Sequence, residues 1–182
     1  MKEFLKTLEE EFKVVKIEKE ISTKYEASKI LREHPRDVVI FENVAESDMR
    51  IISGVCNTRE KIATAISAKV PEITGRIIHA MEHPQKIQNI ESTKDNFKFS
   101  GKADLSKLPV LTHYKKDGGA YITAGVVIAK DPETGTRNAS IHRMLVNDKD
   151  RLGIRIVPRN LYTYYKKAEE MDKPLEIAIA IG

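Results

Sequence analysis

A single cysteine, Cys56, and no tryptophan occur among the 182 residues. One thiol cannot form an intrachain disulfide, and without a second there is neither a CxxC pair nor a Cys/His zinc pattern. The sequence also lacks GxGxxG, P-loop and GxSxG motifs, which removes dinucleotide, ATP and serine-hydrolase readings. No apolar run is long enough to span a membrane. The charged opening Met1-Lys2-Glu3-Phe4-Leu5-Lys6 has no signal-peptide core, so a cytoplasmic location is expected. Excess charge of one sign is scarce too. Against 27 acidic residues stand 31 basic ones, a net charge of +4, which describes a mixed solvated surface rather than a nucleic-acid footprint.

What is present suffices for a packed core: 41% of residues are hydrophobic and 32% charged, the balance of a globular chain. Phe4, Leu5, Leu8 and Phe12 recur at helical spacing, and Val14–Ile17 reads as a short strand. Thr23-Lys24-Tyr25-Glu26 has the form of a capping box opening a helix that stops near His34-Pro35. Asp37–Phe41 and Met49–Val55 then read as paired strands, with Cys56 expected as a buried thiol just beyond them. Asn57-Thr58-Arg59-Glu60 is a second candidate capping box, for a helix toward Pro71, and a further helix is expected over Ile73–Met81. His79 and His83 share a helix face but have no third ligand nearby.

Lys94–Lys107 is polar and reads as a linker. Three strand-like runs follow, Tyr121–Lys130, Arg137–Val146 and Leu152–Pro158, bounded by turn residues as in an antiparallel sheet or barrel. A helix from Arg159 to about Met171 and an apolar strand Leu175–Ile181 complete the pattern. The expected fold class is therefore α+β: an N-terminal α/β domain over residues 1–104 and an incomplete β-barrel over 105–182. A strand this apolar invites a partner along its far edge, and the expectation is that the chain stops within a domain.

The most informative stretch is Asp131-Pro132-Glu133-Thr134-Gly135-Thr136-Arg137-Asn138-Ala139-Ser140-Ile141-His142-Arg143. A carboxamide oxygen suits a hard divalent cation and a guanidinium suits a carboxylate or phosphate. The expectation is that Asn138 and Arg143 share a face and point into one site, with the His142 ring turned away. Local backbone capping by Asn138, or a surface pairing of Arg143 with Asp148 or Asp150, is the alternative. The start of the helix at Arg159-Asn160-Leu161 offers unpaired N–H groups for a phosphate, with Arg155 adjacent.

This block, with Tyr25-Glu26-Ala27, Val39–Val44, Asp148–Ile154 and Pro174–Gly182, resembles the UbiD family of reversible decarboxylases, and the likeness runs over nearly the whole chain. The resemblance implies a split β-barrel that binds prenylated FMN, with Mn²⁺ or another divalent cation, and K⁺ as a further candidate ion. It implies Asn138 as a metal ligand and Arg143 as the catalytic residue that meets the substrate carboxylate. Flavin contacts would come from Ile141, His142, Arg143, Arg155, Ile156, Val157, Asn160 and Leu161. Asn160 departs from relatives that carry histidine there as a second metal ligand. The glutamate ligand and the proton-transfer carboxyl of the family have no match in these residues and would lie beyond Gly182. On that expectation the 182 residues alone do not turn over.

The implied partners are a small carboxylic acid substrate, a flavin prenyltransferase pathway that supplies the cofactor, and further copies of the complete protein in a homo-oligomer. Candidate substrates are polyprenyl-hydroxybenzoate, other aryl or acrylic acids, and a phosphorylated unsaturated acid of the archaeal mevalonate route. The rivals are a non-catalytic fragment or subunit that binds flavin or a partner chain, and a small flavin oxidoreductase on the barrel alone.

Overall fold

The structure, a computed structural model, describes residues 2–85 and 101–181. It falls into two compact units: Met1–Ser22 with Lys29–Ala103, and Thr23–Ser28 with Asp104–Gly182. Part of the expected linker, residues 94–100, lies outside the described residues. From Asp104 onward the chain is ordered into a 3₁₀ turn, Leu105–Lys107, where the Asp104 carboxylate accepts from Ser106 N at 3.1 Å.

In the first unit α1 (Lys2–Glu11) precedes β1 (Val14–Ile17), which runs parallel to β2 (Val38–Phe41). β3 (Ile51–Ser53) pairs antiparallel on the other side of β2. All four residues of β2 are buried, as the unbroken run Val38-Val39-Ile40-Phe41 requires of a central strand. Leu8, Val38 and Ile40 form the core, and Phe4, Leu5, Phe12, Val14, Ile52 and Val55 pack against it, so the apolar stripe of α1 is spent on this sheet. α2 (Glu26–Glu33) starts after Tyr25, which adopts φ 70°, and Lys24 bridges to Thr112 within the second unit.

α3 (Arg59–Ala65) is capped by Thr58, one residue later than expected, and Thr58 Oγ1 accepts from Lys61 N at 3.3 Å. Asn57 has another task. Its Oδ1 accepts from the Lys61 ammonium at 2.8 Å, and Nζ also donates to Arg36 O at 2.6 Å and Gly54 O at 3.0 Å. Lys61 is 1% exposed, so three neutral oxygens satisfy the three donors of a buried cation, and burial holds its pKa below the ordinary lysine range. Gly54 makes this possible. It sits at φ 78° and a Cβ there would meet Asp37 O at 2.2 Å. The sharp turn carries Cys56 outward, so the thiol expected in the core is exposed. α4 (Ile73–Glu82) follows the 3₁₀ turn Val70–Glu72.

The second unit holds two three-stranded antiparallel sheets, ordered β4-β7-β8 and β6-β5-β9. Among the described residues they do not close into a barrel, so the incomplete barrel expected from sequence is what is observed. Two of the expected strands each divide. Tyr121–Lys130 becomes β4 (Tyr121–Ile122) and β5 (Gly125–Lys130), and Arg137–Val146 becomes β6 (Arg137–Ile141) and β7 (Met144–Asp148). Val126 pairs with Ile141 in one sheet and Ile122 pairs with Met144 in the other. The hairpin therefore changes sheet at Thr123-Ala124 and, directly opposite, at His142-Arg143. Gly125 permits the corner, since a Cβ there would meet Met144 Cε at 2.3 Å.

β8 (Arg151–Ile154) completes the first sheet beside β7, and β9 (Ile177–Ile181) completes the second beside β5. α5 (Asn160–Glu170) packs Leu161 and Tyr164 into the core with Ile122, Val127, Ala129 and Met144, and Ala168 is also buried on this helix. A charge cluster fastens α5 to the β5–β6 turn. Lys167 Nζ lies 2.9 Å from Asp131 Oδ2 and 2.6 Å from Glu133 Oε2. Asp131 Oδ1 also accepts from Glu133 N at 2.9 Å and Thr134 N at 3.3 Å. Lys167 and these amides hold the Asp131 carboxyl below its usual range, and Glu133 with Asp131 raises Lys167 above its own.

Two stability measurements check these assignments. Lys61→Met removes the one donor shared by Arg36 O, Gly54 O and Asn57 Oδ1 and the buried cation that joins them. Its urea midpoint should fall well below the parent's, and an unchanged midpoint excludes the role given to Lys61. The Asp131 contribution is fully present above the unfolded carboxyl value of about 4 and is lost as pH falls through the lower folded value. Lys167 contributes below about pH 10 and loses its part as pH rises through its raised value. Asp131→Asn should therefore melt below the parent at pH 7, with the gap closing under acid. A pH-independent gap refutes the charge assignment.

Candidate functional site

Strand alternation puts Asn138, Ser140 and His142 on one side of the chain at β6, and their side chains form a continuous row. Asn138 Nδ2 donates to Ser140 Oγ at 3.3 Å, and Ser140 Oγ lies 3.0 Å from His142 Nε2. At the other end, Asn160 Nδ2 donates to Asn138 Oδ1 at 3.1 Å. Two carboxamides from different elements thus meet at the start of α5. No side chain caps that start, so its first N–H groups face outward with the positive end of the helix dipole.

Arg143, expected on the same face as Asn138, does not share that face. Residues five apart on a continuous strand face opposite ways, and β6 in any case ends at Ile141. Arg143 lies in the corner segment, with its guanidinium 5.7 Å from the centre of the Tyr121 ring, a cation–π contact. The His142 ring, expected to face away, is the residue that joins the Asn138 row. Ile141 faces the opposite side of the sheet and is 75% exposed, beside Val126 of β5.

The remaining candidates separate by burial. Arg155 is exposed directly after β8, and Val157 is exposed with its carbonyl accepting from Arg159 N at 2.7 Å. Ile156 packs against the core, and the Leu161 side chain is inside it, so a ligand at this end of α5 meets their backbone and not their side chains. Ser140 was missed in the sequence reading. Its signal was available in the two-residue spacing from Asn138.

Among the described residues no group of three or more His, Cys, Asp or Glu side chains could hold a metal ion. A cation at this point would draw on carboxamide oxygens, a neutral and hard donor set that leaves charge balance to another ligand. The exposed N–H groups of α5, flanked by Arg155 and Arg159, supply complementary charge for an anion. The residues therefore bring two carboxamides and the start of a helix to one place.

Comparison with known proteins agrees along the chain. The 3-octaprenyl-4-hydroxybenzoate carboxy-lyase N-terminal domain matches residues 5–81, and the Rift-related domain of the same carboxy-lyase matches residues 86–182. Anhydromevalonate phosphate decarboxylase of Methanothermobacter thermautotrophicus is 59% identical over the whole chain, and its counterpart in Methanosarcina mazei is 33% identical. The chain spans 42% of the length of each. The UbiD-class enzyme HmfF from Pelotomaculum thermopropionicum, solved in complex with FMN, superposes with a TM-score of 0.94 at 35% identity. That match covers all of this chain and 42% of HmfF. An evolved dimeric form of HmfF in complex with prFMN gives 0.89 at 34% identity, covering all of this chain and 44% of that one. No helix among the described residues is long and apolar enough to cross a membrane. With both domain families matched in order and the fold shared from end to end, the chain belongs to the UbiD family of carboxy-lyases.

Proposed function

We propose that these residues form the flavin- and metal-holding part of a prenylated-FMN-dependent decarboxylase acting on an unsaturated carboxylic acid. The observation that carries the reading is the meeting of Asn138 and Asn160 at the uncapped start of α5. Asn138 is the metal ligand, with Asn160 a second oxygen donor beside it. The N–H groups of α5, with Arg155 nearby, hold the flavin phosphate. Prenylated FMN supplies, when bound, the electron sink for loss of carbon dioxide.

The chain's own residues bind and orient. Arg143 leaves the Tyr121 ring to meet the substrate carboxylate, exchanging a cation–π contact for a bidentate ion pair. Ile141, His142, Ile156, Val157 and Leu161 border the cofactor, Ile156 and Leu161 through their backbone. The matched relatives extend over more than twice this length, and proton transfer is assigned to a carboxyl group in the remaining part of such a protein. The substrate proposed is a phosphorylated unsaturated acid, because the 59% identical relative is named for anhydromevalonate phosphate. A cytoplasmic location, a homo-oligomeric whole protein, Mn²⁺ as the cation and a flavin prenyltransferase as cofactor supplier accompany this reading.

In the whole protein, Asn138→Ala deletes a metal-binding oxygen and should abolish co-purification of Mn²⁺ and flavin together with carbon dioxide release. Asn160→His should retain or strengthen both, since imidazole binds a borderline metal more tightly than an amide oxygen. Equal metal and flavin content in Asn138→Ala and the parent would sink the site assignment.

A further inference from the structure

We propose that Lys115 and Lys116 form the subsite that takes the substrate's phosphate, at the tip of a turn whose loop rests against the same tyrosine ring that carries Arg143. The proposal rests on the reading of the substrate as a phosphorylated unsaturated acid with its carboxylate on Arg143. Such a substrate makes two phosphates in the bound complex, its own and the flavin's. The start of α5 with Arg155 is given to the flavin. The second phosphate therefore needs cations that stand elsewhere and are not already spent on a carboxylate.

The loop between Thr112 and Tyr121 supplies them. Its start is clipped to the residues around Tyr25, with Thr112 N donating to Thr23 O at 3.1 Å and Tyr25 N to Thr112 O at 3.0 Å. Its end is held where Tyr121 N donates to Leu111 O at 3.1 Å and Val146 N to Ala120 O at 2.9 Å. At the tip Asp117 N donates to Tyr114 O at 3.1 Å, which makes Lys115 and Lys116 the two central residues of a β-turn. The Asp117 carboxylate is engaged inside that turn, its Oδ2 accepting from Tyr114 N at 2.9 Å. Both lysines are exposed, and among the described residues neither forms an ion pair.

Immediately after the turn the loop meets Tyr121. The Tyr121 hydroxyl stands 3.5 Å from where a Cβ on Gly118 would be. The face of the same ring carries the Arg143 guanidinium, 5.7 Å from its centre. One aromatic ring thus joins the two-lysine turn, at its hydroxyl, to Arg143, at its face, and all of these residues belong to the second unit. A phosphate monoester carries about −1.5 to −2 near pH 7, and the carboxylate adds one more negative charge. Arg143 and the two lysines supply three positive ones. The planar guanidinium suits the carboxylate, and a compact ammonium on a flexible stem suits a phosphate at the far end of a carbon chain. The lysines then set a preference for phosphorylated acids over the same carbon skeleton ending in a hydroxyl.

The test is calorimetric binding of these two acids, phosphorylated and dephosphorylated, to the whole protein carrying FMN, with flavin content and melting temperature measured in parallel. The parent should bind the phosphorylated acid more tightly. A hydrogen bond to a charged group corresponds to about ten-fold or more in affinity. Lys115→Gln with Lys116→Gln should therefore weaken the phosphorylated acid by at least about ten-fold and narrow the preference by as much, at the parent's flavin content and melting temperature. Lys115→Arg with Lys116→Arg should keep the preference. Parent-like preference in the double glutamine variant overturns the proposal and leaves the phosphorylated substrate standing. Equal weakening of both acids overturns it as well, since the turn would then act through the fold. Loss of flavin from that variant overturns it in favour of the cofactor's phosphate. A parent that binds the two acids equally overturns the substrate reading and the proposal with it.

Discussion

The corner at Gly125 governs what the second unit can present. Two long strands do not continue past it in one sheet: Val126 pairs with Ile141 on one side of it and Ile122 with Met144 on the other. Each strand therefore leaves one sheet for the other, at Thr123-Ala124 and at His142-Arg143. Residues up to the corner obey the alternation of β6, and those beyond answer to a different sheet. Asn138, Ser140 and His142 fall in line for this reason. Arg143 is released from the line for the same reason and lies over Tyr121.

Much of this was legible in the sequence, and what was not has a physical cause. The apolar spacing of Phe4, Leu5, Leu8 and Phe12, the run Val38–Phe41 and the Asp131–Gly135 turn each specify their element locally, and each element is found as read. Strand division is different. It shows in pairings between residues far apart in sequence, Ile122 with Met144 and Val126 with Ile141, so no local pattern announces it. The same holds for Cys56, whose apolar neighbours suggested burial until the φ 78° turn at Gly54 directed it outward. Lys61 has no local sequence sign of its burial. Only three oxygens from Arg36, Gly54 and Asn57 make its burial tolerable.

The candidate site was partly legible for a related reason. Asn138 stood out because asparagine inside a strand is disfavoured without a use for its amide. Its pairing with Asn160 spans 22 residues and two elements, and could be reached from sequence only through the likeness to the UbiD family. Ser140 required nothing but the two-residue period.

Position 160 is aimed at position 138 by the helix as a whole. Leu161, Tyr164 and Ala168 form one stripe of α5, buried in the core. Asn160 and Lys167, seven residues apart and so on one face, form a second stripe beside it. Lys167 is held by Asp131 and Glu133 at the β5–β6 turn, and Asn160 by Asn138 on β6. The two adjacent stripes have separate anchors, and both oppose rotation of the helix about its axis. The side chain at 160 is therefore directed by packing two turns away. An exchange there alters the chemistry offered to Asn138 while the direction of the offer stays fixed.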